Sequence, residues 1–159
     1  MNIEKRIEIL IVDDDIGIIQ ILKSHLLKNY NCNVSTALNG LDALLKLREC
    51  KVDLIFLDLA MPEINGMEAL DAIRNDSELK NIPVVIMSSI SKKEVVQQAL
   101  KYGIFDYIRK PIIIHEAALR FDQVIKSILK NQSEEHTEKI LIIDNDKKFK
   151  NELAKLLSE

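Results

Sequence analysis

The sequence predicts an α/β fold, a doubly wound parallel sheet of five strands, taken in one of the two common orders of such sheets, 2-1-3-4-5. Two observations carry that expectation. Short aliphatic runs alternate five times with stretches of helical periodicity, and strand–helix–strand units of this length build a parallel sheet with helices on both faces. The run Leu54 to Leu57, inside VDLIFLDLAMPEING, has no polar interruption, as a strand buried on both faces requires. It ends on a carboxylate, Asp58, ahead of a loop with Pro62 and Gly66. Open sheets of this kind bind ligands at the carboxyl ends of their strands, so Asp58 is expected at the mouth of a site.

The elements follow in order. Ile7 to Val12 is a buried strand ending in Asp13, Asp14 and Asp15, the last placed to cap a helix. Ile18, Ile19, Leu22, Leu26 and Leu27 give that helix its apolar spacing. Cys32 to Ala37 is a short second strand. Asn39-Gly40 opens a second helix, with Leu41, Leu44, Leu45 and Leu47 expected on one side. After the Asp58 strand, Met67 to Arg74 is a third helix. Val84 to Met87 is a fourth buried strand that ends on Ser88 and Ser89. Ser91 with Glu94 reads as a capping box for a fourth helix, which Gly103 stops. Phe105 to Ile108 is a fifth strand leading to Arg109, Lys110 and Pro111, and Ile112 to about Lys130 a last helix.

Residues 1–131 thus complete one domain, and 132–138, polar and uncapped, read as a linker. Residues 139–159 repeat the beginning of the chain at an offset of 131: Ile140-Leu141-Ile142-Ile143-Asp144-Asn145-Asp146 overlies Ile9-Leu10-Ile11-Val12-Asp13-Asp14-Asp15. Phe149, Leu153 and Leu157 overlie Ile18, Leu22 and Leu26. The expectation is the first strand and helix of a truncated second copy, in a natural protein that is longer. A single amphipathic tail is the alternative.

Composition narrows the function classes. The 159 residues are 47% hydrophobic but only 4% aromatic and lack tryptophan, so the core must be aliphatic. A net charge of −3 leaves no electrostatic footprint for nucleic acid on this segment. Cys32 and Cys50 are far apart and without CxxC spacing, as in a protein from a reducing compartment. The apolar run near the amino terminus, broken by Glu8, is too short for a signal peptide or membrane span, so a cytoplasmic protein with no membrane contact is expected.

Strand ends deliver the chemistry. The first strand brings Asp13 and Asp14 to the carboxyl edge, the third Asp58, the fourth Ser88 and the fifth Lys110. Three converging carboxylates repel one another, and a hard divalent cation relieves that; an oxygen-only, partly hydrated shell suits Mg²⁺. A carboxylate nucleophile, a metal, an ammonium and a hydroxyl around one open point are what phosphoryl transfer needs, with Asp58 becoming an aspartyl phosphate.

The stretches ILIVDDD, DLIFLDLAMPEING, PVVIMSS and YIRKP together resemble the receiver domain of two-component response regulators, across about residues 6–130. The resemblance implies the CheY-like, flavodoxin-like (βα)5 fold and a switch rather than an enzyme with turnover. It implies that Asp58 is the phosphoacceptor and that Mg²⁺ is held by Asp14 directly, Asp13 through water, Asp58 and the backbone carbonyl of Ala60. It makes Ser88 the switch hydroxyl, Lys110 the partner of a phosphoryl oxygen with a cis bond to Pro111, and Tyr107 the aromatic that turns inward when Ser88 moves. The implied partner is a sensor histidine kinase or phosphotransfer protein. The implied output is a change in the face made by the fourth helix, fifth strand and fifth helix. Homodimerisation, through that face or through the tail, is a further expectation. Ala60 and Ile90 depart from the family pattern, since neither side chain can hydrogen-bond the water that hydrolyses the aspartyl phosphate. A long-lived Asp58 phosphate is therefore expected. Two rivals stand beside this reading. A pseudo-receiver would bind protein without phosphorylation. A haloacid-dehalogenase-type phosphatase would use Asp13 and Asp15, but it lacks an acid pair after the fourth strand and leaves Asp58 without a role.

Overall fold

A computed structural model describes residues 5–134, so the repeat expected at 139–159 lies outside the described residues. The chain divides into two compact units, Met1–Arg120 and Phe121–Glu159. The first contains, in order, β1 (Ile7–Val12), α1 (Ile16–Asn29), β2 (Cys32–Ala37), α2 (Gly40–Glu49), β3 (Leu54–Leu57), α3 (Gly66–Asn75), β4 (Val84–Ser88), α4 (Lys93–Lys101) and β5 (Asp106–Arg109). Residues 114–120 then begin α5. In the second unit the described residues, 121–134, are helical, and Phe121, Val124, Ile125 and Ile128 recur at the spacing of one helix face. Helix thus occupies 132–134, within the stretch expected as a linker. No helix of the described residues is long and apolar enough to cross a membrane.

The five strands are parallel, as the alternation of elements predicts, and their order is the expected β2-β1-β3-β4-β5. Burial follows position in the sheet. Every residue of β3 and β4 is buried, whereas the edge strand β2 alternates and β5 buries only Ile108. That is why the central strands read as unbroken apolar runs and the edges do not. The core on one side of the sheet is aliphatic, built on Leu10, Val12, Ile55, Leu57, Leu70 and Ile86.

Caps and turns set the helix boundaries. The Asp15 carboxylate accepts from the amides of Gly17 and Ile18 and starts α1; Asn39 and Asn65 do the same for α2 and α3. Gly103 follows α4 with φ 66°, the left-handed conformation that ends a helix most cheaply at glycine. The start of α4 corrects the sequence expectation. Its N-cap is Lys92, without a side-chain hydrogen bond. Ser91 sits one residue too early for its hydroxyl to reach the first free amides, and Glu94 falls on the second helical residue rather than the third. The side of α2 is also corrected. Ala43 and Leu47, four apart, carry its buried stripe, while Leu41 and Leu45 are about half exposed. Leu27 of α1 faces solvent in the same way. Residues 112 and 113 precede α5 rather than belonging to it.

Candidate functional site

Register brings the acids together. Val12 of β1 lies beside Leu57 of β3, so the residues that follow them, Asp13 and Asp58, leave the sheet side by side. The Asp58 amide donates to the Val12 carbonyl at 2.9 Å, which holds the two strand ends in step. Close approach of α3 completes the wall. A Cβ on Gly66 would lie 1.9 Å from the Asp58 carbonyl oxygen, so only glycine lets the start of α3 pack over this strand end. On the other side, the Lys110 amide donates to the Ser88 carbonyl at 3.0 Å and fixes the end of β5 beside the end of β4.

The side chains converge as follows. Lys110 Nζ lies 2.7 Å from Asp13 Oδ2 and 3.0 Å from Asp58 Oδ2. Asp13 Oδ1 accepts from the Asp15 amide at 2.8 Å and Asp58 Oδ1 from the Ala60 amide at 3.0 Å. Asp13, Asp14 and Asp58 each offer a carboxylate oxygen, and those oxygens lie within 4.8 Å of one another. Asp13 and Asp58 are buried and Asp14 is exposed, so the cluster has one open side. That side is a cleft lined by Asp14, Asp15, Asp58, Ala60, Ser89 and Lys110, among others. The Lys110–Pro111 peptide bond is cis.

Electrostatics divide the cluster. Burial pushes the Asp13 carboxyl above its ordinary value, the nearby Asp58 charge adds to that, and the Lys110 ammonium and Asp15 amide oppose it. Burial pulls Lys110 down, but its hydrogen bonds and ion pairs with the two carboxylates outweigh this, so the ammonium holds its proton more tightly than usual. One ammonium facing three carboxylates leaves the donor set net negative.

Ser88 is fully buried at the end of β4, and its hydroxyl accepts from the Ile90 amide at 3.2 Å. Its neighbour Ser89 lines the cleft instead. The Tyr107 hydroxyl donates to the Ile90 carbonyl at 2.6 Å, and burial raises its pKa. Ile90 is therefore gripped through both backbone groups, by Ser88 and by Tyr107. The sequence offered no sign of that role, because a backbone contact does not select the side chain that carries it.

Known proteins resemble the chain over most of its length. Residues 9–121 match the family model described as the response regulator receiver domain. The chain is 37% identical over 121 residues to the transcriptional regulatory protein ZraR of Klebsiella oxytoca, covering 76% of this chain and 27% of that protein. It is 32% identical to chemotaxis protein CheY-3 of Vibrio cholerae, covering 79% of this chain and 97% of that one. The solved Francisella response regulator 1452 receiver domain is similar in structure, with a TM-score of 0.68 and 30% identity over 77% of this chain and 98% of the other. The chain thus spans about a quarter of the length of ZraR and nearly all of CheY-3.

Proposed function

The chain belongs to the response regulator receiver domain family of two-component signalling, and from that premise we propose that it is a phosphorylation-driven switch whose acceptor is Asp58. The observation that carries the reading is the Lys110 ammonium, 2.7 Å from Asp13 and 3.0 Å from Asp58, beside a third carboxylate on the open side.

The donor set fits Mg²⁺. It is all oxygen, carries an excess of negative charge and opens to solvent at Asp14. Asp13, Asp14, Asp58 and the backbone carbonyl of Ala60 are the residues proposed to hold the ion, which supplies positive charge against the oxygens of the transferring phosphoryl group. The protein's own groups do the rest. A carboxylate oxygen of Asp58 attacks phosphorus on a phosphohistidine of a kinase or phosphotransfer protein. The O–P bond forms as the donor's P–N bond breaks, and the freed imidazole takes up a proton. The Ala60 amide and Lys110 orient the attacking carboxylate, and the ammonium then stabilises the new anionic oxygens.

The phosphoryl group brings about two negative charges and strong acceptor oxygens to the cleft. The Ser88 hydroxyl turns to donate to one of them, which disturbs its hold on the Ile90 amide. Tyr107, bonded to the carbonyl of the same residue, follows. The β4–α4 loop is thereby a two-state element biased by a local charge. The output is a changed surface around α4 and β5, read by a protein partner or a second copy. The reading is of a cytoplasmic switch without nucleic-acid or membrane contact by this segment.

Beryllofluoride with Mg²⁺, a phosphoryl mimic, tests the reading. It should shift the backbone NMR signals of Asp58, Ser88–Lys92 and Tyr107–Lys110. An unchanged spectrum at saturating mimic would favour a pseudo-receiver.

A further inference from the structure

Helix α4 is fastened at one end. Its C-cap, Tyr102, is held twice by α3: the backbone carbonyl accepts from Arg74 Nε at 2.7 Å, and the hydroxyl donates to Asp71 Oδ1 at 2.7 Å. Asp71 and Arg74 are three residues apart, so α3 presents both from one face. The same guanidinium donates through Nη1 to the carbonyls of Lys80 and Ile82, at 3.1 and 2.9 Å. Its Nη2 lies 3.5 Å from the Gly103 carbonyl. One planar, multi-donor group therefore ties together α3, the segment before β4 and the turn after α4, a task a lysine could not perform. The turn is closed in addition by the Tyr102 amide on the Ala99 carbonyl and the Gly103 amide on that of Leu100, at 3.1 and 3.0 Å.

Among the described residues, no side chain clamps the other end in this way. Lys92, the N-cap, offers no side-chain acceptor to the first free amides. The loop leading into it is held at Ile90, by Ser88 and Tyr107 of the candidate site.

We propose that α4 is a hinged lever: the Asp71–Tyr102–Arg74 clamp fixes its C-terminal end, and its N-terminal end swings with Ile90. The inference deepens the switch reading and rests on it for what drives the motion; the hinge itself belongs to the protein without phosphoryl group or metal. A clamp at both ends would lock the helix, and none at all would let it shift as a body. With one clamp, a displacement at Ser88 becomes a tilt about Tyr102.

Residue-resolved amide hydrogen exchange on the unphosphorylated, metal-free chain tests this, and its outcome does not depend on whether Asp58 accepts a phosphoryl group. The amides of Val96 and Gln97 should exchange about tenfold or more faster than those of Tyr102 and Gly103. Tyr102→Phe, which deletes the phenolic hydrogen bonds to Asp71 and Gln98 and nothing of the backbone clamp, should speed exchange at Tyr102 and Gly103 several-fold and leave Val96 and Gln97 unchanged. Arg74→Gln should do the same more strongly, with α1 amides as the check that the fold survives. Equal protection along α4, or acceleration at both ends alike in Tyr102→Phe, would overturn the hinge.

Discussion

At Asp13 burial and charge pull in opposite directions. The carboxyl is fully buried and pushed up in pKa, yet it faces an ammonium at 2.7 Å and sits beside two other acids. Mg²⁺ held by the folded site alone would add about 1.4 kcal/mol of stability at tenfold over its dissociation constant. Urea unfolding with and without Mg²⁺ should show that gain in the wild type and lose it in Asp14→Ala. A gain that persists in Asp14→Ala would remove Asp14 from the ligand set. The pH dependence of Lys110 has a definite sign. Its folded pKa lies above its ordinary value of 10.5, so its stabilisation is fully present below that pH and lost as pH rises through the folded value. The stability gap between wild type and Lys110→Met should therefore be wide at neutral pH and narrow above pH 10.5. At positions 60 and 90, Ala and Ile offer no group to orient a hydrolytic water. A phosphate-release time course at room temperature should show the Asp58 phosphate decaying over many minutes; loss within seconds would contradict this. At this scale the sequence announced the charged and hydroxyl groups, because each stands at the end of an apolar run. Tyr102 and Arg74 went unremarked because their partners are largely backbone carbonyls, which no side-chain pattern encodes.

The strands were legible as elements because the innermost, β3 and β4, are dominated by apolar residues, and the first three helices because a side-chain cap or a polar turn precedes each. The failures have physical causes. A serine and a glutamate three apart mimic a capping box before α4, but the backbone enters the helix one residue later. On α2, leucines are so frequent that spacing alone does not say which of them face the sheet, and small Ala43 takes a buried position that Leu41 and Leu45 do not. One element junction is especially constrained. Gly66→Ala forces a methyl group into the Asp58 carbonyl, so α3 must move away from the end of β3. The expected cost is about 1–3 kcal/mol in urea unfolding, with weakened Mg²⁺ binding because the Asp58–Ala60 turn shifts. Unchanged stability would mean that the approach of α3 is not set by this glycine.

The whole molecule follows from one topological fact. With β1 and β3 adjacent and β4 and β5 following, residues distant in the chain emerge at one edge: Asp13, Asp58, Ser88 and Lys110. The apolar runs located the strand ends, and the doubly wound order assumed for them was enough to anticipate that convergence. The end of the last helix was less legible, since a polar stretch supports a helix as readily as a linker, and residues 132–134 are helical. The proposed switch stands or falls with Asp58 as the residue that takes the phosphoryl group. The most direct check is to incubate the protein with acetyl phosphate and Mg²⁺, trap the acyl phosphate by borohydride reduction and locate the modified residue by peptide mass spectrometry. Modification is expected at Asp58, and none in Asp58→Asn or without Mg²⁺. Modification at Asp13, or an unmodified chain under conditions that label another receiver, would contradict it.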